Sequence, residues 1–172
     1  MKYNQLDRIT EIVPGQSITA TRTLRPDEEQ LLDHFPRFPV MPGVMMLEAL
    51  HQAAIWLVLA TEGFASPVVM LREVKSVKFG EFLAPHETLD IEASVVKSEG
   101  SRTTIKAAAR KNGKTTVTAR MVLETTATGE PDRTGTDREV CRHVREQFVD
   151  LFHGDHFDAQ RFVPTPAAAH SD

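Results

Sequence analysis

Between residues 88 and 125 the apolar and polar positions alternate with the two-residue period of strands that have one covered face. Leu89, Ile91, Ala93 and Val95 alternate with Asp90, Glu92 and Ser94; Ile105, Ala107 and Ala109 with Lys106 and Arg110; Val117, Ala119, Met121 and Leu123 with Thr118, Arg120 and Glu124. Glu99-Gly100 and Asn112-Gly113 supply the two hairpin turns, the second in the form a type I′ turn favours. Upstream, residues 44–60 are apolar almost throughout, interrupted only by Glu48, His51 and Gln52, which predicts a helix covered on nearly every side, from within two residues of Gly43 to about Glu62. A one-faced sheet needs a cover, and this is the one element long and apolar enough. The pattern predicts an α+β domain: an antiparallel sheet wrapped around a long central helix.

Leu6–Val13 reads as a first strand closed by Pro14-Gly15. Ile18, Ala20, Arg22 and Leu24 alternate with Ser17, Thr19, Thr21 and Thr23 as a second, with Arg22 as its exception. Residues 26–32, with an early proline and acids in the first turn, predict a short helical turn. Gly63 stops the central helix and Ser66-Pro67 marks a loop. Val68–Leu71 and Val74–Phe79 read as strands in the middle of a sheet, irregular around Arg72-Glu73, and Ala84–Glu87 as a turn. Residues 1–128 form the expected domain. Residues 129–172 are expected to hold a linker, an amphipathic helix over 137–152 and a disordered tail from Pro164. That helix opens on a capping box at Thr136–Glu139, and its stripe of Val140, Val144, Phe148 and Leu151 is expected to pack on the same oligomer.

At 172 residues the chain supports one sizeable core rather than two. Its net charge of −4 is concentrated at the end: residues 1–128 carry fifteen basic against fifteen acidic side chains, residues 129–172 five against nine. Cys141 is the one cysteine, which excludes an intrachain disulfide and fits a reducing compartment. The N-terminus lacks an apolar leader and the run Ala53–Ala60 is far short of the about 20 residues a membrane span needs, so a cytoplasmic protein is expected. No basic segment interleaved with aromatics points to nucleic acid. His153, Asp155, His156 and Asp158 are close together but have no element to fix them, and no metal site is expected there.

The candidate chemistry lies in residues 34–60, HFPRFPVMPGVMMLEALHQAAIWLVLA. Pro36, Pro39 and Pro42 stiffen the loop that leads into the central helix. His34 at its start can exchange a proton near neutral pH. Glu48, among Leu47, Ala49 and Leu50, is expected to have its pKa raised by desolvation, as suits a general acid. The unpaired N–H groups of the first turn, at Gly43 and Val44, face the loop, with open space left above Gly43 for a thioester oxygen. Taken singly, each residue has an ordinary structural reading: a hydrogen-bonded loop histidine, a structurally paired helix glutamate.

The whole pattern, H-F-P-x-x-P-V-M-P-G-x-x-x-x-E-A-x-x-Q, resembles the 3-hydroxyacyl-acyl carrier protein dehydratases of bacterial type II fatty acid synthesis, which have the hot-dog fold; the resemblance runs over roughly residues 6–125. It implies dehydration of 3-hydroxyacyl thioesters to trans-2-enoyl thioesters, with His34 as base, Glu48 as acid, Gly43 and Val44 at the thioester oxygen, and Gln52, Pro42 and Phe35 in support. It also implies a homodimer with active sites shared between subunits, in some relatives a trimer of dimers. No cofactor is implied, because phosphopantetheine arrives as part of the substrate, on acyl carrier protein or coenzyme A.

A basic excess over residues 97–120, in which Lys97, Arg102, Lys106, Arg110, Lys111, Lys114 and Arg120 face only Glu99, fits an acidic carrier and equally fits solvated strand faces. Three features depart from the family. Arg37 and Phe38, expected at the site entrance, replace a loop glycine and its small or polar neighbour; Arg37 either redraws the loop, places a guanidinium at the mouth that favours a phosphorylated or acidic substrate arm, or faces solvent without a role. The turn at Ala84–Glu87 lacks the family's glycine. The residues that usually precede the first strand are missing, which leaves part of the pocket or dimer edge less covered. A hot-dog acyl thioesterase and a non-catalytic acyl-carrier-binding protein remain as alternatives.

Overall fold

The computed structural model describes residues 4–128 and 133–152. In chain order the elements are β1 (Arg8–Val13), β2 (Ser17–Thr23), α1 (Gln30–Asp33), α2 (Gly43–Thr61), β3 (Val68–Phe79), β4 (Thr88–Glu99), β5 (Arg102–Lys111), β6 (Lys114–Thr126) and α3 (Arg133–Leu151). The strands form one six-stranded antiparallel sheet in the order β1-β2-β4-β5-β6-β3. It curls around α2, which touches every strand. This is the α+β hot-dog fold, with α3 as a C-terminal helical extension.

The inward rows explain why the helix fits. Ala93 pairs with Ala107 and Ala107 with Ala119, so three alanines lie abreast across β4, β5 and β6, all buried. Small side chains there let a helix approach closely, while Leu89, Ile91, Ile105, Val117, Met121 and Leu123 fill the space on either side. Asn112 and Gly113 both have positive φ, as a type I′ turn requires. At the end of α2, the Gly63 N–H donates to Ala60 and the Phe64 N–H to Leu59, with Gly63 at φ +60, a Schellman stop. α2 is long and apolar enough to cross a membrane by length and composition, and it is instead the core of its own sheet.

Four expectations need correction. β3 is one strand rather than two, and among the described residues it lies at the sheet edge, paired only with β6, with register shifts at Leu71/Glu73 and Lys75/Lys78. Its apolar residues signal a surface that needs covering, but Met70, Leu71 and Phe79 are exposed in the single chain. The cover of α2 is also incomplete: Val44, Leu47, Glu48, His51, Gln52 and Ile55 form a helical stripe that the chain leaves exposed or half-buried. α3 starts at Arg133, before the expected capping box, and Asp137 instead accepts hydrogen bonds from the Thr128 N–H and hydroxyl. The short helical turn is likewise displaced, to Gln30–Asp33.

The stripe on α3 packs on its own chain. Phe148 is 1% exposed, in contact with the rings of Trp56, Phe64 and Phe152, while Val144 and Leu151 border the core and Val140 is half-buried. Arg145 donates to the carbonyls of Gly63 and Phe64, which fastens the helix to the end of α2. Phe152 bridges to Ile9, so the helix end meets the free edge of β1. The expected tail from Pro164 lies outside the described residues.

Phe148→Ala is expected to cost about 3–5 kcal/mol, the range for truncating a buried aromatic, measured as a drop in the urea midpoint. A second prediction concerns the turn at Ala84–Glu87. His86 occupies the third position of a type II turn at φ +70, closed by the Glu87 N–H donating to the Ala84 carbonyl. Glycine reaches that conformation without the side-chain penalty, so His86→Gly is expected to raise stability by about 0.5–1 kcal/mol, the left-handed strain relieved less the added unfolded-state entropy, read by calorimetry.

Candidate active site

The segment that delivers His34 is anchored by Arg22. This one charged residue on the inward row of β2 is 1% exposed, and its guanidinium donates to the Glu28 carboxylate, the Thr23 carbonyl and Gln5. Glu28 also accepts from the Arg25 N–H and from Gln30. Burial pushes the Glu28 carboxyl up, but these donors outweigh it and hold its pKa below the ordinary 4.5. α1 follows at once, and the His34 N–H donates to the Gln30 carbonyl at 3.2 Å. The His34 ring stands edge-on to Phe35.

Phe35, not Arg37, carries the positive φ of this loop, +52, where a side chain is uncommon. A turn then closes with the Phe38 N–H on the Phe35 carbonyl at 2.8 Å, and Arg37 lies exposed in it without left-handed geometry. Phe38 packs edge-on against Phe82, both exposed. The loop returns to the body where the Met41 N–H donates to Leu83. Pro42 caps α2 just before its first residue and its carbonyl accepts from Met45 and Met46.

His34, Met41, Gly43, Met46, Phe79, Gly80, Glu81 and Phe82 line a cleft of about 180 Å³ at this helix end. The amides of Gly43 and Val44 donate no hydrogen bond among the described residues, as the first turn of a helix dictates. The space above Gly43 is not open, however: a Cβ there would stand 3.1 Å from the Phe79 ring. Glycine is needed at Gly80 too, where a Cβ would come within 2.6 Å of the Thr115 carbonyl.

Glu48 faces a different pocket, about 300 Å³, with Asn4, Gln52, Ile55, Trp56 and, from α3, Gln147, Asp150 and Leu151. Gln52 Nε2 donates to Glu48 Oε1 at 2.9 Å, and the Gln5 N–H donates to Gln52 Oε1 at 2.8 Å, which fixes the amide. His51 Nδ1 lies 3.0 Å from Glu48 Oε2. The Glu48 pKa is lowered, not raised: the hydrogen bond from His51 comes first, burial pushes the other way, and the hydrogen bond from Gln52 with the charge of His51 tips the balance downward.

One chain thus places His34, Gly43 and the helix amides around one cleft and Glu48 with Gln52 around another. His51, one turn from Glu48, could have been found from helical spacing. Phe79, Glu81 and Phe82 come from the far end of β3 and the pocket wall from α3; no local pattern marks them. Most of the basic excess over residues 97–120 is spent in ion pairs: Lys97 with Glu99, Arg102 with Glu124, Arg110 with Glu92, Lys111 with Glu87 and Lys114 with Glu81. Lys106 and Arg120 are cross-strand neighbours with no ion pair among the described residues. No group of three or more His, Cys, Asp or Glu could hold a metal ion among the described residues, and His153, Asp155, His156 and Asp158 lie outside them.

A sheet wound around one helix, with a histidine at the helix mouth and a glutamate farther along it, defines a hot-dog domain of the dehydratase type. The chain matches the model of the FabA-like domain over residues 1–121. It is 38% identical over 104 residues to the 3-hydroxyacyl-[acyl-carrier-protein] dehydratase FabZ of Levilactobacillus brevis, covering 60% of this chain and 70% of that protein. With the FabZ of Lactiplantibacillus plantarum it shares 35% identity over 123 residues, 72% of this chain and 84% of the other. The chain belongs to the FabZ-like 3-hydroxyacyl-acyl carrier protein dehydratase family. Among solved structures, the dehydratase heterocomplex ApeI:P from Xenorhabdus doucetiae aligns with a TM-score of 0.63 at 16% identity, covering 75% of this chain and 87% of that one. A hypothetical thioesterase with coenzyme A from Streptococcus pneumoniae aligns at 0.56 and 11%, over 69% and 84%. Both share the fold.

The anchor of the His34 segment makes a prediction. Arg22→Ala leaves Glu28 without its buried partner and is expected to cost about 3–5 kcal/mol at pH 7. Because the folded pKa of Glu28 is depressed, its contribution is fully present above the unfolded value near 4.5 and is lost as pH falls through the lower folded value. Urea unfolding at pH 7 and pH 3 should show a large gap between wild type and variant at the first and a smaller one at the second.

Proposed function

We propose that this protein dehydrates 3-hydroxyacyl thioesters to trans-2-enoyl thioesters in a cytoplasmic homodimer whose active sites join His34 of one copy to Glu48 of the other. The observation that supports this reading is the division of the site: each chain holds a histidine beside a helix N-terminus and, in a separate pocket, a hydrogen-bonded carboxyl, and β3 beside the His34 cleft is a long edge, unpaired on one side among the described residues, with exposed apolar residues. Such an edge needs a partner, and pairing two β3 edges brings the unlike halves toward one another.

In this reading His34 removes the C2 proton, the electron pair forms the C2–C3 double bond, and the C3–O bond breaks as Glu48 protonates the departing hydroxyl. The Gly43 and Val44 amides stabilise the negative charge that grows on the thioester oxygen. Gln52 holds the acid, Pro42 presets the helix mouth and Phe35 steadies the His34 ring. Phe38 and Arg37 stand at the entrance, where the guanidinium suits the phosphate of a phosphopantetheine arm. Lys106 and Arg120 give an acidic carrier protein a point of attraction, so acyl carrier protein is the proposed donor over coenzyme A. Residues 1–128 act as the catalytic domain and 129–172 as its extension. Three dimers are the proposed full assembly.

Hydration of a 2-enoyl thioester, the reverse reaction, removes an absorbing conjugated bond and gives the assay. His34→Ala and Glu48→Gln are each expected to lower turnover roughly 10²-fold to 10⁴-fold, with the double variant far less impaired than the product of the two losses. Single variants with wild-type turnover defeat the proposed roles. Release of free thiol from a saturated acyl thioester, without hydration of an enoyl one, replaces dehydration by thioester hydrolysis; carrier binding with neither reaction leaves a non-catalytic domain.

A further inference from the structure

A general acid at this site has a loading problem. A carboxyl at its ordinary value of 4.5 is protonated in only about one molecule in 300 at pH 7. In the single chain the hydrogen bonds on Glu48 move it in the wrong direction. The nearest titratable group is His51, with Nδ1 3.0 Å from Glu48 Oε2 on the same open stripe of α2. We propose that His51 holds and supplies the proton that Glu48 gives to the departing hydroxyl, so that the acid of this site is the Glu48–His51 pair; this rests on the dehydratase reading above.

The geometry around the ring favours that role. His51 Nε2 is buried and has no hydrogen-bond partner among the described residues. With Glu48 ionised, Oε2 accepts from Nδ1–H; with Glu48 protonated, Nδ1 accepts instead, and no partner on Nε2 among the described residues opposes either state. An imidazolium at this place carries an unsatisfied N–H, which makes it a stronger donor toward Glu48. Gln52 occupies Glu48 Oε1 and is itself held by the Gln5 amide, so Oε2 remains for the proton. The other side chains facing the pocket are Asn4 from the N-terminal segment and, from α3, Gln147 and Asp150. Asp150 is acidic, and its charge favours a proton on the pair; in the proposed dimer His34 of the second copy faces it as well.

The protons balance. The loaded pair is imidazolium with carboxylate, or equally neutral imidazole with carboxylic acid. The C3–O bond breaks with its electrons on oxygen, that oxygen takes one proton from the pair and leaves as water, and His34 takes the C2 proton. Neutral His51 and the Glu48 carboxylate remain, and solvent reloads the pair through the half-exposed Glu48 carboxyl. His51 is thus a positioning and proton-supplying residue acting through Glu48, and the loaded state persists to the pH at which the pair as a whole deprotonates.

The test compares the full-length wild type with His51→Asn, which keeps an N–H near the Nδ1 position and cannot titrate. In the dehydration direction, the alkaline limb of kcat against pH is expected to move down by about one unit or more, with about a 10-fold loss at pH 8 and KM changed less than about twofold. A variant that retains the wild-type limb, or gains rate because Glu48 is released from a depressing partner, overturns the proposal. Imidazole NMR supplies a readout independent of turnover, with the His51 signal assigned by its loss in His51→Asn. Its midpoint in wild type and in Glu48→Gln is expected to differ because the carboxylate partner is removed, and equal midpoints overturn the pair. If the midpoints differ and wild type converts no thioester, the dehydratase reading has failed and the proton-supply role falls with it; if wild type is active and the limb does not move, this inference alone has failed.

Discussion

The structure depends on burying a helix that is apolar on most of its circumference beneath a sheet with one covered face. Alanines abreast at the centre of β4, β5 and β6 permit close approach, and larger residues on either side close around the helix. Because the sheet is open at β1 and β3, it cannot surround α2 completely. The stripe left over is the one that carries Glu48, His51 and Gln52. A polar group on a fully enclosed helix would have to be satisfied wholly within the core; the open stripe allows a carboxyl to be fixed by neighbours and still meet a ligand.

Much of this was legible from residues. The two-residue period of β4 to β6, the Asn112-Gly113 turn, the Gly63 stop and the length of α2 are local signals, and local geometry decided them. The place of β3 was not, because apolar β-branched residues at Val68, Val69, Val74 and Val77 report a need for cover without saying whether a neighbouring strand of the same chain provides it. Arg22 broke the pattern in the sequence and proved to be the buried anchor of the His34 segment, since its partners Glu28, Gln5 and Thr23 gather around it. The capping box at Thr136–Glu139 misled because the helix already runs from Arg133, which puts Thr136 inside it rather than at its start.

The behaviour of Glu48 shows why neighbours in sequence are a poor guide to titration. Its apolar flanks, Leu47, Ala49 and Leu50, suggested a desolvated carboxyl. In the helix Ala49 and Leu50 turn into the core, Leu47 shares the open stripe, and the polar side chains on the Glu48 face are His51 and Gln52, both within hydrogen-bonding distance. Helical spacing rather than adjacency sets the environment. The same principle joins His34 to Phe79 and Phe82, which are distant in the chain and adjacent in the cleft.

α3 supplies Gln147, Asp150 and Leu151 to the wall of the Glu48 pocket, yet it contributes no strand to the sheet. Pocket shape and fold stability are therefore only partly shared on this helix: Phe148 secures it, Gln147 and Asp150 face the cavity, and Leu151 does both. Exchanging Gln147 or Leu151 for larger or smaller side chains alters the room available to a ligand without changing the hydrogen-bond partner of any strand amide. The size of this cavity can drift, or be redesigned, at a pace the strand ladder itself would not permit.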